Sequence, residues 1–130
     1  MSIFQGASMS TKASQYLALA FAAFALVGHG AVAANELYDA RCGGCHSVEQ
    51  DRVGPRHRGL ANRLAGSVKE FSYSQALLNA GTKDGLRWSA LTLERWLTNP
   101  EAFVPGQAMG YSLDNPQERK VIIDYLLSLP

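Results

Sequence analysis

The sequence has few of the residues that bind metals or form disulfides. Its 130 residues include two Cys and three His. After residue 33 only Cys42, Cys45, His46 and His57 remain. A structural zinc site would need all four, and the adjacent Cys45 and His46 cannot easily bind the same ion. The formal net charge is +1, and the absence of a basic stripe argues against nucleic acid as a partner.

The apolar segment near the N-terminus is short for a membrane span. Residues 16–27 are apolar or tyrosine, whereas crossing a bilayer takes about 20 apolar residues. Lys12 precedes this run and Ala31-Val32-Ala33 follows it, as is typical of a secretory signal peptide. We predict a signal peptide over residues 1–33 and export of residues 34–130 to the periplasm. The alternative is an uncleaved N-terminal anchor.

Residues 34–130 are expected to form one small domain, monomeric and without a membrane span. They contain equal numbers of basic and acidic residues, so their formal charge is zero. The charges are uneven, since arginines dominate between Arg41 and Arg63. This weak dipole would orient a partner protein. A domain of this size buries limited apolar area and often depends on a staple or cofactor.

Both cysteines lie in one short motif, Cys42-Gly43-Gly44-Cys45-His46. Cys-x-x-Cys-His is the pattern of covalent haem c attachment, with the two thiols forming thioether bonds to the porphyrin. A disulfide is possible in the periplasm but leaves His46 without a role. A thioredoxin-like redox pair would need a βαβ context. The motif therefore predicts one covalent haem c.

Four segments show helical patterns, whereas no segment keeps the alternation of a strand. The predicted helices are 36–42 with Asn35 as cap, 74–80 closed by Gly81, 90–98 capped by Ser89, and a last helix capped by Asn115 with Glu118 in a capping box. In the last helix the apolar stripe is Val121, Ile122, Tyr125, Leu126 and Leu129.

Two long segments, 47–72 and 101–114, are predicted as loops. Loops of this length in a small domain are usually functional. Wrapping a large flat cofactor would explain them. The expected fold is all-α, with three to four short helices and Ω-like loops around the haem.

The ligands of the haem iron decide the function. His46 is the expected proximal ligand, oriented by a backbone carbonyl near Pro55. Met109 and His57 are the candidates for the sixth position, and His57 has difficulty reaching the opposite face. Two strong ligands favour electron transfer. A weak or absent sixth ligand would instead suggest a haem enzyme or gas-binding sensor.

These motifs resemble the class I c-type cytochromes, which include mitochondrial cytochrome c and bacterial periplasmic relatives. Besides the haem motif, Gly54-Pro55, Phe71-Ser72-Tyr73-Ser74 and the stretch from Trp88 to Met109 match the family in order. The resemblance implies a one-electron carrier, not an enzyme, with redox proteins, membrane-bound or soluble, as partners. It further implies the roles of individual residues: Pro55 as acceptor for His46, Arg63, Tyr73 and Trp88 near the haem propionates, and Met109 as sixth ligand.

Three features depart from that family pattern. Trp96 stands where the family usually has a tyrosine that bonds the methionine sulfur. His57 replaces a common leucine two residues after the Gly-Pro pair. Glu101, Ala102 and Ala108 stand where mitochondrial relatives carry lysines, so a different partner surface is expected.

Overall fold

Five helices organise the part of the chain that the computed structural model describes, residues 34–130. Helix α1 covers residues 34–41, and the others are α2 (Gln75–Thr82), α3 (Ala90–Thr98), α4 (Pro100–Phe103) and α5 (Pro116–Ser128). Within residues 34–130 the only β pairing is an isolated antiparallel bridge between Leu64 and Arg87. The all-α prediction is therefore confirmed. The predicted signal peptide lies outside the described residues and stays a prediction.

No helix of the described part, from residue 34 onwards, combines the length and the apolar character that crossing a bilayer requires.

Helix α3 begins after its predicted cap Ser89, whereas α2 is displaced from the predicted range 74–80 to Gln75–Thr82. Ser74 precedes α2 as its cap, and Gly81, which was expected to close the helix, lies inside it, where the missing side chain permits the close approach of the Ala65 carbonyl. The Ser74 side chain accepts a hydrogen bond from the Leu77 amide and caps α2. At α3, Ser89 accepts from the Thr92 amide, and the Thr92 hydroxyl accepts from the Ser89 amide in return. These reciprocal bonds satisfy two amides that the helix start leaves without intrahelical partners. Local sequence thus determines both starts.

The predictions for α1 and α4 were wrong in different ways. Asn35 was expected as a cap, but it lies inside α1, since the chain is already helical at residue 34. Residues 101–114 were expected to be a loop, whereas Pro100 begins α4. Asn99 caps that helix by accepting from the Ala102 amide. A proline that stops one helix is also favoured in the first turn of the next.

For helix α5, the predicted cap is confirmed and the predicted capping box is wrong. Asn115 accepts from the amides of Gln117 and Glu118. The carboxylate of Glu118 does not return to the cap; it accepts from Nε and Nη2 of Arg41 at 2.8 and 2.9 Å. This ion pair joins α1 to the start of α5.

The buried face of α5 is rotated from the predicted stripe. Ile122, Ile123 and Leu126 are buried, whereas Val121 is 39% exposed. Tyr38 from α1 packs on Tyr125 with ring centroids 5.1 Å apart. Helix α5 thereby closes one side of the core.

Arg119 is a buried cation that connects α5 to α3. Its Nε donates to Glu94 at 2.9 Å, and its Nη1 donates to the carbonyls of Leu113 and Asp114 at 2.6 and 3.1 Å. Burying a charge is costly unless it is paired and hydrogen-bonded, and this guanidinium is both. It fixes the segment just after Met109 against two helices.

Candidate haem site

A cavity of about 590 Å³ opens between the motif loop, α3 and the segment before α5. The two cysteines of the motif and His46 lie along one part of its lining, and Met109 lies along another. Aromatic and aliphatic side chains complete most of the wall, among them Tyr73, Leu77, Trp88, Leu93, Trp96, Leu97 and Leu126. Such a largely apolar cavity with few polar groups is typical of a cofactor site.

His46 has one ring nitrogen fixed and one left over. Its Nδ1 lies 2.8 Å from the carbonyl oxygen of Pro55. Because a carbonyl only accepts, Nδ1 carries the proton, and Nε2 keeps its lone pair for a metal. Burial lowers the pKa of His46, although the Pro55 carbonyl acts in the opposite direction, so the ring is neutral as a ligand must be.

Gly54 permits the close approach of this ring. A Cβ on Gly54 would lie 2.2 Å from Cε1 of His46, far inside van der Waals contact. The Gly54 amide also donates to the Cys45 carbonyl at 2.8 Å. The Gly-Pro pair thus supplies both the space for the imidazole and the acceptor that orients it.

The Cys-x-x-Cys-His segment is a tight turn at the end of α1. The amides of Cys45 and His46 both donate to the Cys42 carbonyl, at 3.1 and 2.8 Å. Both thiols are free, and burial raises the pKa of Cys42 to about 11. No group of three or more His, Cys, Asp or Glu suited to a metal ion occurs between residues 34 and 130.

His57 lies on the same side of the cavity as His46. The two rings stack with centroids 4.2 Å apart and planes 21° from parallel. A metal binds in the plane of an imidazole along a nitrogen lone pair, so face-to-face rings do not bracket an ion. Nδ1 of His57 shares a 2.9 Å hydrogen bond with the Tyr38 hydroxyl. Burial, then His46 and Arg63, lower the pKa of His57 to about 3.

A stiff turn precedes Met109. The Gln107 amide donates to the Val104 carbonyl at 3.1 Å, with Pro105 second and Gly106 third at φ +87°, which is the pattern of a type II turn. Glu101 of α4 holds this turn: its carboxylate accepts from the Gly106 amide at 2.9 Å and from Nε2 of Gln107 at 3.3 Å. The sequence alone does not indicate this role of Glu101, because the role depends on the formation of α4.

Arg63, Tyr73 and Trp88 supply polar groups to the cavity wall. Nη1 and Nη2 of Arg63 donate to the carbonyls of Arg58 and Arg56 at 2.8 and 2.9 Å, and burial lowers the pKa of the guanidinium. Trp88 is held beside it, because its amide donates to the Arg63 carbonyl at 3.0 Å. No carboxylate of residues 34–130 forms an ion pair with Arg63.

The lining fits a haem c in its donor set. Two thiols stand next to an imidazole with a free nitrogen, and a thioether lines the same cavity. A half-buried cation without a carboxylate partner in the described chain matches the need of an anionic group such as a propionate. Trp96, the departure from the family tyrosine, also lines the cavity, with its ring centroid 5.5 Å from that of Trp88.

We expect Gly54→Ala to disturb the His46 position, because the added methyl group overlaps the imidazole. In a host that attaches haem c, the variant should lose or alter axial imidazole binding, read from the visible spectrum. Gly44→Ala is the matched control, since a Cβ at Gly44 would meet no heavy atom within 4 Å. A Gly54→Ala protein with the unchanged spectrum would contradict this view of the site.

Comparison with known proteins agrees with this geometry. The family model described as Cytochrome c matches residues 31–130. The chain is similar to "Cytochrome c2" of Afifella marina, with 38% identity over 73% of this chain and 79% of that protein. "Cytochrome c" of Gibberella zeae is 36% identical over 69% of this chain and 85% of that protein.

A solved structure shares the fold. Cytochrome cH from Methylobacterium extorquens superposes with a TM-score of 0.65 at 32% identity, covering 74% of this chain and 95% of that one. The chain therefore belongs to the cytochrome c family of electron carriers, which are not enzymes, and its Cys42-x-x-Cys45-His46 motif implies covalent haem c.

Proposed function

We propose that this chain is a periplasmic electron carrier with one haem c, whose iron has His46 and Met109 as axial ligands. One observation carries the proposal: an imidazole with a free Nε2 and Met109, the sole methionine after residue 33, line the same cavity. The haem, when bound, supplies a one-electron Fe(III)/Fe(II) couple.

The residues divide the work of supporting that couple. His46 is held by Pro55 and does not need to move during electron transfer. Met109 offers a soft thioether, which favours Fe(II) and raises the reduction potential. With His46 and Met109 as its two axial ligands, a bound haem would have no open position for a substrate or gas, which is where this proposal differs from the enzyme or sensor alternative. The apolar wall excludes water.

The remaining site residues anchor the group. Cys42 and Cys45 are proposed to form the two thioether links. Arg63, Tyr73 and Trp88 are proposed to bind the propionates through a guanidinium, a hydroxyl and an indole N–H. Support comes from their shared position on the cavity wall.

Met109→Ala should lower the midpoint potential and allow the reduced protein to bind carbon monoxide, because the thioether no longer fills the sixth position. Redox titration and carbon monoxide difference spectra measure both effects. Ser112→Ala is the control, an exposed neighbour in the same segment that should keep the wild-type behaviour. If Met109→Ala changed neither property, Met109 would not be the ligand.

The proposed location follows from the leader. Residues 1–33 have a basic start, a short apolar run and an Ala-x-Ala end, as is typical of a signal peptide, and the cytochromes c2 among the relatives are bacterial. We expect protein isolated from the periplasm to begin at Ala34, as determined by intact mass and N-terminal sequencing. Full-length protein retained in the membrane fraction would favour the uncleaved anchor instead.

We further propose that redox partner proteins approach the cavity mouth. Exposed residues without charge on its rim include Gly44, Val53, Ala108, Gly110 and Tyr111. Val53 is 81% exposed. The charged residues on the cavity lining are Arg41, which pairs with Glu118, and the half-buried Arg63. A rim of this kind suits a partner whose contact face is also largely uncharged.

This rim should make electron transfer insensitive to salt. The rate constant for oxidation of the reduced protein by ferricyanide should change less than about threefold between ionic strengths of about 0.01 M and about 0.15 M. The reason is that the rim carries little charge for the salt to screen. Ala108→Lys should accelerate the reaction at low salt and make it salt-dependent.

Leu91→Lys provides the control for that substitution. It adds the same charge at a 71% exposed position on α3 outside the cavity lining. A steep salt dependence of the wild-type rate, or equal effects of the two lysines, would contradict an uncharged contact face and leave the carrier function intact.

A further inference from the structure

His57 lies in the site but has no role as an iron ligand or as a propionate partner in the proposed function. It is not positioned to bind iron opposite His46, because the two rings lie face to face. Its backbone is nevertheless fixed on both sides: its amide donates to the Ser47 carbonyl, and its carbonyl accepts from the Leu60 amide, both at 3.0 Å. These two backbone bonds therefore hold the His57 imidazole against His46, the proposed ligand.

Besides stacking on His46, the His57 ring is held by Tyr38. Their side chains share a 2.9 Å hydrogen bond, and the rings meet edge to face with centroids 5.7 Å apart. Tyr38 is 2% exposed, and its own ring packs on Tyr125. Buried polar groups of this kind are held in one arrangement when each has a partner.

The contacts form a continuous series from the core to the ligand. Tyr125 packs on Tyr38, Tyr38 bonds His57, and His57 stacks on His46. The Pro55 bond fixes one atom of the His46 ring and leaves rotation about the Nε2–metal direction less constrained. A stacked ring across one face restricts that rotation, since turning the imidazole would drive it into its neighbour.

We propose that His57 and Tyr38 act as positioning residues that set the rotational orientation of the His46 imidazole over the haem. This inference rests on the proposed function, because the orientation matters through the iron. The plane of an axial imidazole determines how its π orbitals meet the iron d orbitals, and partners of metal-bound histidines tune the metal in this way. Where the family commonly has leucine, this chain has a ring with a hydrogen-bonding nitrogen.

The test compares four variants of the haem-loaded protein by the hyperfine-shifted haem methyl resonances of the oxidised form, which report the plane of the axial imidazole. Tyr38→Phe removes the hydrogen bond, His57→Phe keeps a ring for stacking, and His57→Ala removes both. We expect altered methyl shifts in all three, largest in His57→Ala. Tyr125→Phe, which touches the Tyr38 ring but makes no hydrogen bond to His57, should retain the wild-type pattern.

The outcomes separate this inference from the proposed function. Wild-type shifts in both Tyr38→Phe and His57→Ala would overturn the positioning role. Tyr38→Phe is the milder change, so it keeps the test available if His57→Ala does not fold. Haem content is measured in each protein from the alkaline pyridine spectrum. Normal covalent haem with unchanged shifts contradicts the positioning role alone, whereas wild-type protein without covalent haem contradicts both proposals.

Discussion

The hydrogen bond from His46 to the Pro55 carbonyl is the interaction on which the site depends. It joins the haem motif to a loop nine residues later and determines which ring nitrogen is available. The Gly54 amide reinforces it by donating to the Cys45 carbonyl, so motif and loop run side by side. This pairing also carries His57 to the face of His46. A side chain at Gly54 would push the two segments apart, because its Cβ would overlap the His46 ring.

Local chemistry made much of the structure predictable. Ser89 caps α3 as expected, because a capping bond involves only residues three positions apart. The haem motif and the Gly-Pro pair are likewise short-range patterns. The resemblance to class I cytochromes added Arg63, Tyr73 and Trp88, which lie far apart in sequence and line one cavity with Met109. No local rule would have grouped those four.

The errors occur where contacts between residues far apart in sequence decide the local structure. Glu118 has the right spacing for a capping box, but Arg41 offers two charge-assisted bonds across the fold. No residue near Tyr38 in the sequence indicated the hydrogen bond between its hydroxyl and His57. Val121 fits the helical stripe by spacing, yet it is 39% exposed and Ile123 is buried instead. Tertiary geometry decided each case.

The buried guanidinium of Arg119 bears on how the domain assembles. Its charge leaves water only when Glu94 of α3 and the carbonyls of Leu113 and Asp114 are already in place to receive it. Partial burial would leave an ion without partners, at a cost of several kcal/mol. We therefore expect α3, α5 and the segment that follows Met109 to become ordered together. The part of the cavity wall near Met109 is thereby coupled to the cooperative folding of the whole domain.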